Sequence, residues 1–226
     1  MSILLVLRLL GIWNTMKPFE IALHLAENKK AWAGMRKGNG ADGYIEDQES
    51  LRGFVYGKKT FDSLTRATVG ENRVRKDGYI DGQSNLCGVI AIYNALVFLG
   101  QRRELYSIIE AFETSGVVLN GCMGTSPHRI EKYLKENGIK AALYSPGSSS
   151  GAGDEDACIF GCFNSKKGVK SGMHIMCATR EKDGCRVHNG GLLGRKFESF
   201  REAAGAYNNG ESRPVFMIGI KQGARQ

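Results

Sequence analysis

The sequence has few of the features that mark membrane, disulfide-stapled or metal-bound proteins. Its 226 residues include four prolines, four histidines and six cysteines. No apolar stretch approaches the roughly 20 residues of a membrane-spanning helix, so we expect no stable membrane insertion. The cysteines lack the paired C-x-x-C spacing of zinc sites, and no convincing secretory signal is present. We therefore expect free thiols, a cytoplasmic location, no metal and no cofactor.

The basic charge is not organised for binding nucleic acid. The chain carries 31 basic and 23 acidic residues, a net charge of +8. Its basic clusters, at 35–37 and 73–76, are short, polar and rich in neighbouring glycine. Basic residues interleaved with aromatics would be expected in a nucleic-acid interface, and none are found. We interpret the excess charge as an ordinary soluble surface.

Composition predicts a globular fold with many turns. Apolar residues make up 42% of the chain, charged residues 24%, and there are 30 glycines. The apolar segment 2–13 is too short to span a bilayer. It predicts a helix docked on the core or an extension upstream of a start at Met16, with an interfacial membrane anchor as the alternative.

The pattern changes along the chain from helices to strands. A helix is predicted over 17–35, with Phe19, Leu23, Ala26 and Lys30 at helical spacing. Residues 36–82 are polar and predict loops with one or two short helices. We divide the chain into an N-terminal helical and loop extension, 1–75, and a main domain, 76–226.

The main domain opens with a 13-residue apolar run, 87–99, closed by Gly100. This run predicts a helix that is buried on all sides. Further helices are predicted at 105–112, 126–134 and 197–206, and strands at 141–144, 157–163, 173–180, 185–188 and 214–221. The fold class is therefore α+β, with a central buried helix packed on a mostly antiparallel sheet.

Cys87 is the predicted nucleophile. A cysteine attacks as its thiolate, and the positive end of a helix lowers a thiol pKa. Cys87 opens the buried helix, and Gly88 beside it leaves room for a substrate carbonyl. Gln83 precedes Cys87 by four positions and is predicted to donate its side-chain amide to an oxyanion, alongside the Cys87 backbone N–H.

His174 is the predicted base, and a hairpin argument supplies its orienting group. If strands 173–180 and 184–189 turn at 181–184, His174 lies opposite Asn189 and Met176 lies opposite Val187. The Asn189 side chain would then accept a hydrogen bond from one ring nitrogen of His174 and leave the other for Cys87. A slip of one residue would break this pairing.

Each residue also has an ordinary structural interpretation. Cys87 alone is compatible with a small buried apolar residue, and Asn189 with a turn. Cys122 and His128 are the competing pair, around the start of another helix. Three further residues are weighed against the site: His24 as a structural histidine, His188 as facing away from His174, and Asp183 as the second choice of orienting group.

The motifs together resemble the papain-like cysteine peptidases of the bacteriocin-processing, double-glycine leader peptidase type. The resemblance covers roughly residues 80–221. It rests on Gln83, Cys87–Gly88, the segment 124–127, Gly172-Met173-His174, Asn189 and the segment 197–200. Only three residues separate Gln83 from Cys87, fewer than the family often has, and Asn189–Gly190 stands where it often has Asp-Pro. The resemblance implies a papain-like fold.

The predicted activity is thiol-dependent hydrolysis of peptide bonds by Cys87, His174 and Asn189 with help from Gln83. A peptide or protein substrate is the expected partner. Two alternatives stay open at this point. An acyltransferase would use the same acyl-enzyme on Cys87 and pass it to an amine. A non-catalytic peptide-binding module would keep the fold without turnover.

Overall fold

A computed structural model describes residues 16–39, 43–58, 74–115, 125–148, 154–167, 172–192 and 195–222. The secondary structure is mixed α+β with an antiparallel sheet, as predicted. The apolar segment 2–13 lies outside the described residues. Among the described helices, none combines the length and the apolar character needed to cross a membrane.

Five α-helices and eight strands make up the described structure. The helices are α1 (Pro18–Asn39), α2 (Cys87–Phe98), α3 (Leu105–Ser115), α4 (Pro127–Glu136) and α5 (Phe200–Ala206). The strands are β1 (Val55–Lys58), β2 (Tyr79–Asp81), β3 (Lys140–Tyr144), β4 (Ala157–Phe163), β5 (Met173–Glu181), β6 (Gly184–His188), β7 (Lys196–Phe197) and β8 (Pro214–Lys221). Short 3₁₀ turns occupy Gln48–Leu51, Gly82–Ser84 and Tyr207–Gly210.

The element predictions are close in the main domain and poorer before it. Helix α2 ends one residue before the predicted limit, and Gly100 follows it with a φ of 69°, the left-handed conformation that favours glycine. In 36–82, where loops and short helices are predicted, β1 and β2 instead pair as a two-stranded antiparallel sheet. The two strands are short and lie far apart in the sequence, so their pairing cannot be predicted from a local hairpin pattern.

The chain divides into two compact units. The first contains 1–43, 48–89 and 104–126, and the second contains 44–47, 90–103 and 127–226. The first unit therefore includes residues on both sides of residue 75, where the sequence predicts a domain boundary.

In the first unit, α1 packs on α3 through a polar face. Phe19 and Leu23, two of the residues at helical spacing, are 59% and 50% exposed, so this spacing does not mark the buried side of the helix. The buried side of α1 instead presents His24 and Asn28. Asn28 bonds to both the backbone N–H and the carbonyl of Val55, at 2.7 and 2.9 Å. These hydrogen bonds satisfy an inward face that hydrophobic periodicity alone cannot identify.

In the second unit, six strands form one sheet in the order β3-β8-β4-β5-β6-β7, with every pair antiparallel. Helix α5 covers one face of this sheet and closes an apolar core with it. That core includes Cys158, Phe160, Met176, Ala178, Cys185, Val187, Phe197, Phe200, Ala203 and Ala204. Because side chains alternate along a strand, His174 shares the face of Met176 and Ala178.

Helix α2 also anchors a short segment of the second unit. The Asn94 side chain accepts from the Ile45 backbone N–H at 2.8 Å and donates to the Ile45 carbonyl at 2.9 Å. Asn94 is fully buried, so these two bonds satisfy an amide that would be costly to leave unpaired. The segment 44–47 is thereby fixed along α2.

Candidate active site

Cys87 is the first residue of α2 and is 7% exposed. The turn before it is held by hydrogen bonds. The Asp81 carboxylate accepts from the Gln83 backbone N–H at 3.0 Å, and the Asn85 side chain donates to the Tyr56 carbonyl at 2.9 Å. The helix start and its thiol therefore have a fixed position in the first unit. The first N–H groups of a helix carry partial positive charge, which favours a thiolate at this position.

Tyr56 is a fully buried residue of β1 whose backbone carbonyl accepts from Asn85, two residues before Cys87. Burial raises the pKa of the Tyr56 hydroxyl above its ordinary value, and the nearby acidic groups of Glu113 and Cys87 act in the same direction. The Tyr56 hydroxyl is 2.9 Å from the Thr125 hydroxyl. Sequence reasoning missed Tyr56, because it lies on β1, in the region where loops are predicted.

Gln83 is buried and held by the 3₁₀ turn Gln48–Leu51. Its side-chain amide donates to the Glu49 backbone carbonyl at 2.8 Å. The backbone carbonyl of Gln83 accepts from the Gln48 side-chain amide at 2.6 Å. The structure thus fixes the orientation of the Gln83 side chain in the same unit as Cys87.

His174 lies at the start of β5 and is partly buried. Its cross-strand neighbour on β4 is Cys162, and its ring stacks on Tyr207 with centroids 5.8 Å apart. Its Nε2 is 2.5 Å from the backbone oxygen of Asn189. A carbonyl oxygen only accepts hydrogen bonds, so Nε2 carries the hydrogen and Nδ1 is the basic nitrogen of the neutral ring.

The predicted register of the β5–β6 hairpin is wrong by two residues. Glu181 pairs with Gly184 and Ala178 pairs with Val187, so only two residues, Lys182 and Asp183, form the turn. The predicted turn spans four residues, 181–184. A two-residue hairpin with Gly184 at a φ of 126° is tighter. The shift is even, so each side chain keeps its predicted sheet face.

Asn189 meets His174 through its main chain. It follows β6, it has a φ of 59°, and its backbone oxygen is the acceptor for His174. Within the described part of the chain, its buried side-chain nitrogen Nδ2 has no hydrogen-bond partner. The prediction places the side chain of Asn189 against the ring, whereas the structure places the backbone carbonyl there. The left-handed turn at Asn189, which rotates its carbonyl toward His174, explains the difference.

His188 lies on the opposite sheet face from His174, as predicted, because it pairs with Cys177. Both of its ring nitrogens have partners. Nδ1 is 2.9 Å from the Glu46 carboxylate, and Nε2 is 2.9 Å from the Thr179 hydroxyl. Its ring is fully buried and stacks on Tyr44 at 3.9 Å. His188 therefore has a structural role.

The competing residues that the structure describes, His24, His128 and Asp183, lie in different parts of the fold. His24 is buried with its Nδ1 2.6 Å from Glu113, which agrees with a structural histidine. His128 is exposed on α4. Cys122 lies outside the described residues. Asp183 lies in the hairpin turn and forms an ion pair with Lys196 at 3.5 Å.

The other described cysteines are buried free thiols of low reactivity. Burial raises the pKa of Cys158 to about 12, and it raises the pKa values of Cys162 and Cys185 to about 11. Burial also raises the pKa of Cys177 well above its ordinary value. These four thiols have little thiolate at neutral pH, so they are poor nucleophiles.

The four predicted site residues fall into two pairs. Cys87 and Gln83 belong to the first unit, and His174 and Asn189 belong to the second. The approach of His174 to Cys87 stays a prediction. Among the residues that the structure describes, no three His, Cys, Asp or Glu side chains are grouped to hold a metal ion.

Comparison of the chain with protein-family models, with curated proteins and with solved structures finds no significant match.

Proposed function

We propose that the protein is a papain-like thiol hydrolase that cleaves peptide bonds through an acyl-enzyme on Cys87. The observation that carries the proposal is the position of Cys87 as the first residue of the buried helix α2. The helix dipole and the first N–H groups stabilise negative charge on the sulfur there. Gly88 follows and has no side chain to obstruct an incoming substrate carbonyl.

His174 is the proposed general base. The bond from Nε2 to the Asn189 oxygen supports this role, because it fixes the ring and leaves Nδ1 as the basic nitrogen. Nδ1 takes the proton from the Cys87 thiol, and the sulfur forms a bond to the carbonyl carbon of the substrate. The resulting imidazolium then gives its proton to the amine nitrogen as the carbon–nitrogen bond breaks.

The second half-reaction uses the same groups. His174 removes a proton from water, the hydroxide adds to the thioester carbonyl, and the carbon–sulfur bond breaks to release the acid. The Gln83 amide and the Cys87 backbone N–H are the proposed donors to the oxyanion formed in both halves. The fixed orientation of Gln83 supports this assignment, because preorganised donors need no rearrangement as charge develops.

Alkylation with limiting iodoacetamide at pH 6 tests the nucleophile without knowledge of the substrate. Intact mass gives the number of adducts over time, and peptide mapping assigns them. We expect one fast adduct at Cys87, because the four buried thiols with raised pKa values react slowly. Cys185→Ala is the matched control and should keep the fast adduct. Uniformly slow labelling, or a fast adduct elsewhere, would overturn the assignment.

Turnover distinguishes hydrolysis from acyl transfer. The folded protein is incubated with a library of internally quenched peptides that includes small residues before the scissile bond, with and without an added amine. Release of a free acid in both conditions supports hydrolysis. Conversion of the acid product to the amide when amine is added would show that the acyl group is transferred instead.

A further inference from the structure

Tyr207 lies against the ring of His174. The two ring centroids are 5.8 Å apart and the ring planes differ by 23°, which is within the range of offset-stacked aromatic pairs. Tyr207 directly follows helix α5, and it packs against the apolar core that α5 forms with the sheet. Both residues belong to the second unit. The proposed base is therefore stacked on an aromatic side chain of its own unit.

Asn164 holds Tyr207 and the residue after it. The side-chain oxygen of Asn164 accepts from the Tyr207 hydroxyl at 3.2 Å, and its backbone carbonyl accepts from the Asn208 side chain at 2.7 Å. Asn208 has a left-handed φ of 51°, so the backbone leaves the helical conformation just after Tyr207. The phenol ring is thereby fixed both at its hydroxyl and through the residue that follows it.

Asn164 is itself bonded to the chain that leads into β5. It follows β4, and its backbone N–H donates to the Gly172 carbonyl at 3.0 Å. Gly172 has a φ of 76°, and a Cβ at this position would lie 3.2 Å from Nδ2 of Asn164. Gly172 precedes His174 by two positions. The contacts from His174 through Tyr207 and Asn164 to Gly172 thus form a closed ring that returns to the start of β5.

A single hydrogen bond does not fix the plane of an imidazole. The bond from Nε2 of His174 to the Asn189 oxygen sets where that nitrogen points. The final torsion of a histidine side chain is broad, so this bond alone leaves the ring free to tilt. Stacking on Tyr207 restricts the tilt, and the direction of Nδ1 is then defined as well.

We propose that Tyr207 is a positioning residue, which holds the plane of the His174 imidazole so that Nδ1 keeps one direction. Its effect on catalysis rests on the proposed function, whereas its effect on the His174 ring does not. The stacked phenol ring carries this role, and the bond from its hydroxyl to Asn164 supports it. A ring at position 207 should therefore matter more than the hydroxyl.

NMR of the ¹⁵N-labelled full-length protein tests the arrangement. The hydrogen-bonded Nε2–H of His174 should give a downfield signal, assigned by its loss in His174→Gln, whose exchange with water is measured. Tyr207→Leu and Tyr207→Met remove the ring but keep apolar bulk. We expect exchange to be about 5-fold faster in both, because the stack no longer holds the imidazole. Tyr207→Phe keeps the ring and should stay close to the wild-type rate.

Tyr144→Leu is the matched control. Tyr144 packs against the same core, but the contact of its hydroxyl is with Cys158, at 4.0 Å. The substitution should leave the exchange rate of the His174 signal unchanged even where it lowers the melting temperature. With a cleaved peptide in hand, kcat should fall on the order of 10-fold in Tyr207→Leu, with KM little changed and kcat largely retained in Tyr207→Phe.

The positioning role is rejected if a folded ring-free variant keeps the wild-type exchange rate, or if Tyr207→Phe or Tyr144→Leu speeds exchange as much as Tyr207→Leu. It is also rejected if neither ring-free variant folds, because Tyr207 would then be a residue of the core. Faster exchange in Tyr207→Leu in a protein that shows no reactive Cys87 would support the role of Tyr207 while rejecting the proposed hydrolase. The two proposals can therefore fail separately.

Discussion

The Nε2 of His174 and the main-chain oxygen of Asn189 are 2.5 Å apart, and the contact survives any side-chain change that preserves the backbone at 189. A main-chain acceptor is neutral at every pH, so it orients the ring without adding a titrating group. The proton donor to that oxygen is Nε2, and the basic nitrogen is Nδ1. Because the acceptor is the backbone oxygen, substitution of the Asn189 side chain should lower kcat less than it would if the side chain oriented the ring.

Asn189→Gly should leave kcat within a few-fold of the wild-type value, because glycine adopts a φ of 59° without strain and keeps the carbonyl. Asn189→Ala should cost more, since alanine pays about 1 kcal/mol in the left-handed region. Steady-state kinetics and thermal melts of the two variants make the comparison. Equal losses of kcat in both variants would show that the Asn189 side chain is needed instead.

Cys87→Ala should abolish peptide cleavage and acyl-enzyme formation, with a loss of at least about 10³-fold, because no other group replaces the nucleophile. Its circular dichroism spectrum and melting temperature should stay close to wild type, since alanine fits the space of the thiol. Cys177→Ala, a second buried thiol, provides the comparison and should cleave normally. Cleavage by a folded Cys87→Ala protein would refute the mechanism.

His174→Ala should slow alkylation of Cys87 at pH 6 by on the order of 10-fold, because the thiol loses the imidazolium that favours its thiolate. Peptide cleavage should be lost at the same time. His128→Ala changes an exposed histidine on α4 and should do neither. The labelling rate by intact mass is the measurement. If both substitutions slowed the alkylation of Cys87 equally, His174 would not be the residue that activates the thiol.

The acid sensitivity of the fold should depend on Glu46. Burial raises the pKa of Glu46, but its hydrogen bond and charge interaction with His188 and the charge of Arg186 more than offset this, so the net pKa lies below the ordinary 4.5. A carboxyl group with a lowered folded-state pKa stabilises the fold above its unfolded pKa, and this stabilisation is lost as the pH falls through the folded value.

The difference in the free energy of unfolding between wild type and Glu46→Gln should therefore be largest above about pH 4.5 and should shrink below it. Urea unfolding from pH 7 to pH 3 measures it. Arg186→Gln retains the carboxylate and should keep an acid-dependent loss. If the difference in the free energy of unfolding stayed constant from pH 7 to pH 3, the pKa of Glu46 would not be lowered in the folded protein.

The fold of the main domain is predictable from sequence where local signals are strong. The apolar run beginning at Cys87 and its glycine stop define α2, and strand 157–163 is predicted with its observed limits. The sheet face of His174 is also predictable, because alternation survives a two-residue shift of register. Glycine at 184 permits the tighter turn, but the sequence does not distinguish a two-residue from a four-residue turn.

The rest of the candidate site depends on contacts between distant parts of the chain. Glu46 lies about 140 positions before Arg186 and His188, so no spacing rule connects them. The buried side of α1 cannot be identified from the sequence for a related reason. Its buried side is recognised by hydrogen bonds to β1 and α3, and a hydrophobic pattern assigns the exposed Phe19 to the interior instead.

The polar contact between α1 and α3 has an evolutionary consequence. His24 and Glu113 are both buried, and their side chains lie 2.6 Å apart, with the Gly57 N–H also bonded to the carboxylate. Replacing either partner alone removes a hydrogen bond from a buried polar group, at a cost of about 1–3 kcal/mol. A lineage can change these positions at little cost only by changing both. Positions 24 and 113 should therefore covary among descendants of this chain, which makes the pair a marker for aligning α1 with α3.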